Sequence, residues 1–214
     1  MICVSLQPSS MDELRQALNG VDRAEIRLET LAPTDEQLKE IFALPLELVA
    51  TMRPGQHDDD HRAHVLSQAA AAGAAYVDVE LDSPVPFREK IVAACRRSGC
   101  RVIVSFHDFE GTPQRQALRG IVEDAFAAGG DVAKVACLAR SPREAARLLA
   151  LLDDERPIIA IGMGPCGTIT RLAAPLLGSP FTYAAPAAGK ETAPGQLAVE
   201  QLQRLLGEVH RGPS

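Results

Sequence analysis

The sequence predicts a single (β/α)8 TIM barrel of the α/β class over residues 1–214. Three observations lead there. Eight short β-branched apolar runs recur along the chain, and each is followed by a stretch of helical spacing that ends on a polar residue or glycine. Dividing 214 residues among eight units gives about 27 residues each, room for a strand, a helix and two short loops. No G-x-G-x-x-G turn follows an early strand, as the runner-up, an open doubly wound sheet, would normally require.

The strand runs are Ile2 to Leu6, Ala24 to Leu28, Leu46 to Met52, Tyr76 to Leu81, Arg101 to Phe106, Val132 to Leu138, Pro157 to Met163 and Phe181 to Ala185. Helical spacing covers residues 10–19, 35–43, 61–72, 85–98, 112–128, 141–153, 168–176 and 195–207, several opened by Ser, Thr or Asp as N-caps. Gly20, Gly73, Gly99 and Gly129 stand where helices prefer to stop. The small-residue stretch Ala69 to Ala75 reads as a tightly packed helix end. No Pro/Gly/Ser-rich linker divides the chain, so one domain is expected.

Composition narrows the function. A formal charge of -6 and a pI near 5.4 do not supply the basic surface that duplex nucleic acid needs. No run reaches the 18 or so apolar residues of a membrane span, and the start lacks the pattern of a signal peptide, so a cytoplasmic protein is expected. The five cysteines, at 3, 95, 100, 137 and 166, are odd in number and contain no C-x-x-C pair. That disfavours a disulfide framework or a structural zinc site. The run His57-Asp-Asp-Asp-His61-Arg-Ala-His64 has superficial metal spacing, but Asp58 to Asp60 are better explained as carboxylates at a helix N-terminus.

Ionisable residues inside apolar strands need a reason. Glu25 and Arg27 share one face of the second strand, Arg53 ends the third, and Asp78 and Glu80 share a face of the fourth. His107 follows the fifth, and Lys134 lies within the sixth. In a barrel these groups would converge on the C-terminal mouth, where such enzymes keep their active sites. Lysine is rare in this chain, at 39, 90, 134 and 190 only. Flanked by Val and Ala, Lys134 would sit in a low-dielectric space that disfavours its charged form, giving an amine able to attack a carbonyl. A lone strand lysine more often snorkels to the rim; its ionisable company is what favours chemistry. An imidazole at position 107 could then move a proton α to that carbonyl. Arg27 and Arg53 suit an anionic substrate, although with Glu25 they could instead form a structural ion-pair network. The polar segment Gly189 to Gln196 is long enough to serve as a lid, with Lys190 solvated.

Several motifs together resemble the type I 3-dehydroquinate dehydratases, the Schiff-base enzymes of the shikimate pathway. They are Glu25-Ile-Arg27-Leu-Glu, Thr51-Met-Arg53, Tyr76-Val-Asp78-Val-Glu80-Leu, Val104-Ser105-Phe-His107-Asp108, Gly130-Asp131-Val-Ala-Lys134, Ile161-Gly-Met163 through Thr170-Arg171, and Ala193-Pro194-Gly195-Gln196. Their order and spacing run nearly end to end.

The resemblance implies that Lys134 forms an imine with the C3 ketone of 3-dehydroquinate and that His107 is the general acid and base. It further implies that Glu25, Arg27 and Arg53 hold the ring hydroxyls, that Arg171 pairs with the carboxylate, that Met163 packs on the ring, and that Thr192 and Gln196 close over it. No cofactor or metal is implied, and family habit suggests a homodimer. The acidic residue and glycine pair common after the third-strand arginine are replaced by Pro54-Gly55, with His57 and Asp58 following. The acid that poises His107 is therefore open among His57, Asp58 and Glu80, with Glu80 favoured on geometry. Two other readings stand beside this one: a class I aldolase or transaldolase-like Schiff-base barrel, and a non-catalytic barrel binding a hydroxylated carboxylate.

Overall fold

Strand and helix alternate along the chain as expected. The computed structural model describes residues 1–55 and 57–211; position 56 and positions 212–214, which the expected domain includes, lie outside the described residues. The strands are β1 (Ile2–Leu6), β2 (Arg23–Arg27), β3 (Glu47–Thr51), β4 (Tyr76–Glu80), β5 (Arg101–Asp108), β6 (Val132–Leu138), β7 (Ile158–Met163) and β8 (Thr182–Ala184). They form one sheet in the order β7-β6-β5-β4-β3-β2-β1-β8. Sequence neighbours lie side by side, and β8 returns to pair in parallel with β1 through Ile2↔Thr182 and Val4↔Ala184. That is the strand order of a (β/α)8 barrel.

The helices are α1 (Met11–Ala17), α2 (Leu28–Leu31), α3 (Asp35–Phe42), α4 (Asp59–Ala71), α5 (Val85–Ser98), α6 (Arg115–Ala127), α7 (Pro142–Leu149), α8 (Thr168–Leu176) and α9 (Val199–Arg211). Local chemistry sets their ends. Ser10 and Ser141 accept hydrogen bonds from the third residue beyond, and Thr34 with Gln37 forms a reciprocal capping box. Asp58 accepts from His61 N–H, with Asp59 and Asp60 in the first turn of α4, which accounts for the Asp-rich run without a metal. The four stop glycines all have positive φ, from 72° at Gly99 to 112° at Gly73. At Gly73 a side chain is doubly excluded, because a Cβ would lie 2.8 Å from Phe42 O.

Two compact units make up the chain: one holds Met1–Ser5, His107–Val122 and the chain from Lys134 onward, the other Leu6–Phe106 and Glu123–Ala133. In the second, Ile26, Leu38, Ile41, Leu66, Ile91 and Ile103 are fully buried; in the first, Phe181, Leu118, Leu148 and Ile159 are. Leu202 and Leu206 of α9 cluster with Ala184, flanked by Ile2 and Leu172. Burying a side chain of this size contributes roughly 1.5–3 kcal/mol.

Three expectations need correction. Leu28 starts the one-turn helix α2 instead of ending β2, because the chain turns at once and Ala32 closes the turn at φ 46°. The sixth helix begins at Arg115, three residues late, since Thr112 and Pro113 are used as hydrogen-bonding loop residues. The last helix begins at Val199 and not at 195, because Ala193 to Gln196 form a turn and Ala198 bridges to Ala185.

Candidate active site

Of the groups singled out in the sequence, Arg27, Arg53, Glu80 and His107 fall at or just past strand ends while Glu25, Asp78 and Lys134 lie within strands, and each unit carries its own set. In the Leu6–Phe106 unit, register pairs Arg27 at the end of β2 with Thr51 at the end of β3, and Glu80 at the end of β4 with Ser105 on β5. Arg53, two residues past β3, donates from Nη1 to Glu80 Oε1 at 2.7 Å and lies 3.5 Å from Asp78 Oδ1. Ser105 O–H donates to the same Asp78 oxygen at 2.6 Å, fixing a carboxylate whose side chain has no exposure. Arg27 makes a two-point pair with Glu29. Glu25 is 3% exposed, on the face of β2 it shares with Arg27.

Arg27 and Arg53, read in the sequence as suited to an anion, stand here among acids. Four carboxylates, Glu25, Glu29, Asp78 and Glu80, accompany the two arginines, so the guanidinium charges are already matched. Such a mixed array suits hydroxyl groups, which need donors and acceptors together, better than it suits an anion.

The cationic groups lie in the other unit. Lys134 is 4% exposed on β6, with Nζ 4.3 Å from the centre of the Tyr183 ring on β8. A ring face at this distance is placed to stabilise a protonated imine formed on the same nitrogen. Arg171 on α8 is 1% exposed; its Nη1 donates to Tyr183 O at 3.2 Å. Its Nε and Nη2 are buried with no hydrogen-bond partner among the described residues. Burial pushes this guanidinium down from its ordinary value to about 10, as expected of a charge taken out of water. Met163, 2% exposed, ends β7.

His107 stands at the end of β5, half-buried, its ring stacked 6.2 Å from that of Phe109. The turn after it is built by Asp108, whose Oδ1 accepts from the N–H groups of Glu110 at 2.8 Å and Gly111 at 3.0 Å. Thr112 then donates to Leu138 O at 2.9 Å, and Arg147 Nη1 donates to Thr112 O and Pro113 O. The histidine loop is therefore tied to the end of the strand that carries Lys134.

The segment read as a lid is folded and held. Thr192 N–H donates to Gln196 Oε1 at 2.8 Å, and its hydroxyl lies 3.0 Å from Ser5 Oγ and 3.2 Å from the same Gln196 oxygen. Gly164 N–H donates to Pro194 O at 3.0 Å. Gly195, at φ 75°, sits so close that a Cβ would lie 2.6 Å from Gly164 O. Lys190 is exposed.

The family model for type I 3-dehydroquinase matches residues 2–213. The chain belongs to the type I 3-dehydroquinase family. It is 36% identical to the 3-dehydroquinate dehydratase of Methanothermobacter thermautotrophicus over 97% of this chain and 96% of that protein. Among solved structures, the 3-dehydroquinate dehydratase of Aquifex aeolicus is 27% identical with a TM-score of 0.82, covering 97% of each chain. The type I enzyme of Clostridium difficile superposes with a TM-score of 0.86 at 21% identity, over 99% of this chain and 92% of that one. These likenesses establish the (β/α)8 fold for this family member.

Residue reading alone pointed to Glu25, Arg27, Arg53, Asp78, Glu80, His107 and Lys134, and to the lid segment that holds Thr192 and Gln196; Arg171 and Met163 came only through the resemblance. Ser5, Glu29 and Tyr183 were not singled out at all. A usable signal existed for two of them: Ser5 is a small polar residue late in an apolar strand, and Tyr183 is one of only two tyrosines, placed on the last strand.

Proposed function

We propose that this chain dehydrates 3-dehydroquinate to 3-dehydroshikimate through an imine on Lys134, acting as one (β/α)8 domain over residues 1–214. The observation that carries the reading is Lys134 itself: a lysine buried on a barrel strand, its nitrogen over an aromatic face, on the strand next to the one that ends in His107.

The uncharged amine adds to the C3 ketone and water leaves, giving an imine whose protonated form draws electrons from C2. The Tyr183 face stabilises that cation. His107 takes a proton from C2, and the resulting enamine expels the C1 hydroxyl, which leaves as water with the proton His107 returns. Hydrolysis of the imine frees Lys134. Glu25, Arg27 and Arg53 hold the ring hydroxyls, an assignment supported by the mixed donors and acceptors around them. Arg171 pairs with the carboxylate, supported by its two buried unpartnered nitrogens. Met163 packs on the ring, Thr192 and Gln196 cover it, and Glu80 poises the histidine. Among the described residues no helix is long and apolar enough to cross a membrane. The reading extends to a cytoplasmic homodimer, checked by fractionation and by sedimentation of the purified protein.

The test is the rise of enone absorbance when purified protein meets 3-dehydroquinate. Turnover is expected in the unaltered chain, none in Lys134→Ala, and a loss of about 10²–10⁴-fold in kcat in His107→Ala. Cleavage of a sugar phosphate without enone formation would favour the aldolase reading, and absence of any turnover the binding role. Activity surviving in Lys134→Ala would overturn the catalytic roles of both residues.

A further inference from the structure

We propose that Glu29 is a positioning residue that sets both hydroxyl-binding arginines at once, an inference that rests on the functional reading above. Its carboxylate is 14% exposed and divides its two oxygens between two strands. Oε1 accepts from Arg27 Nε at 2.6 Å and lies 2.5 Å from Nη2. Oε2 accepts from the backbone N–H of Arg53 at 3.3 Å. One side chain on the turn after β2 thus orients the guanidinium at the end of its own strand and the main chain just beyond the next.

The second contact matters because of what holds the other end of the same peptide. The Met52–Arg53 peptide unit presents its N–H to Glu29 and its C=O to Arg62, whose Nε and Nη2 both donate to Met52 O at 3.2 Å. Arg62 is in turn fixed by Asp59 at 2.6 Å and by the Phe87 ring, 4.5 Å from its guanidinium carbon. A peptide gripped at both ends fixes the Cα–Cβ direction of Arg53, and with it the 2.7 Å contact from Arg53 Nη1 to Glu80. Glu29 meets the Arg27 guanidinium at both Nε and Nη2, which fixes the plane of that group. The two side chains are only 18% and 14% exposed, so breaking the pair costs more stability than breaking a surface ion pair would. It also supplies geometry, and a misplacement of about 1 Å at a substrate-holding group can cost as much as ~100-fold.

The experiment is steady-state kinetics with 3-dehydroquinate on Glu29→Gln and Glu29→Asp, with thermal midpoints measured alongside. Glu29→Gln keeps the shape but loses the charge and one of the two acceptor oxygens, so it cannot accept from Arg27 and from Arg53 N–H together. Its KM should rise at least tenfold, with kcat falling much less and the midpoint within a few degrees of the unaltered chain. Glu29→Asp keeps the charge for Arg27 but is too short to reach Arg53 N–H as well, so its KM should lie between the two. In an Arg27→Met background the Glu29→Gln change should raise KM by a smaller factor, because one of its two targets is gone. A KM within twofold of the unaltered value in Glu29→Gln, or equal factors in both backgrounds, would overturn the inference alone. Failure of the unaltered chain to turn over 3-dehydroquinate would overturn the functional reading and this inference with it.

Discussion

Arg171→Met should stabilise the ligand-free protein while weakening its hold on substrate. Burial lowers the Arg171 guanidinium to about 10. At about 1.4 kcal/mol per pH unit, the drop from the ordinary value disfavours the charged form by roughly 3 kcal/mol. The sign follows from the direction. A base whose folded value lies below its unfolded value costs stability at every pH under that folded value, and the cost fades only above about 10. Replacing the charge with an apolar chain of similar length removes it and loses one hydrogen bond, Nη1 to Tyr183 O, worth about 1 kcal/mol. The net gain is about 1–2 kcal/mol. At this chain length each kcal/mol moves the thermal midpoint by about 2–4 °C, so the midpoint should rise by several degrees in a ligand-free melt. Loss of a charged contact to the substrate carboxylate should cost about 2 kcal/mol, roughly 30-fold in KM. A variant that melts several degrees lower would refute the view that this buried cation is unfavourable without ligand. A KM within threefold of normal would refute its role toward the carboxylate.

Other expectations follow from the folded lid and the thiols. Gly195→Ala puts a Cβ 2.6 Å from Gly164 O at a φ of 75°; kcat/KM should fall at least about tenfold, with a loss of only about 1–3 kcal/mol in a denaturant melt. Thr192→Val removes the hydroxyl shared with Ser5 and Gln196 and should raise KM about five- to tenfold. Thr192→Ser, which keeps the hydroxyl, should stay near normal, as kinetics on the pair would reveal. Burial holds the Cys137 thiol up at about 12, so it stays protonated at pH 8 and reacts with iodoacetamide only after unfolding. Cys166, the partly exposed one of five free cysteines, should be labelled first in the native protein by mass spectrometry.

Much of the fold could be read from the residues because period and punctuation agreed. β1, β6, α5 and α8 have the bounds that the apolar runs and helical spacing predict, and Gly99 stops α5 with a left-handed residue as a C-terminal glycine should. The misses lie where tertiary contacts overrode local signals. Leu28 continues an apolar run yet opens a helix, and the Pro194-Gly195-Gln196 stretch looks like a helix start but is bent against Gly164. In the candidate site, charge in and beside apolar strands was the legible signal, and it pointed to Lys134, His107 and Arg53. Arg171 escaped because an arginine on a helix is ordinary until its burial is known. Glu29 escaped because an acid just past a strand reads as a solvated turn; only the folded chain shows one carboxylate serving two arginines. The acids beside Arg27 and Arg53 were hidden for the same reason, since counting arginines in sequence does not count the carboxylates that fold beside them.

Every step of the proposed reaction depends on the Lys134 nitrogen capturing a ketone. Treatment of the purified protein with borohydride, with and without 3-dehydroquinate, followed by peptide mass mapping, tests this directly. A ligand-sized mass is expected on the Lys134 peptide only when both reagents are present, lost in Lys134→Ala and kept in His107→Ala. A protein that turns over the substrate with no such mass, or with the mass on Lys39, Lys90 or Lys190, would contradict capture at Lys134.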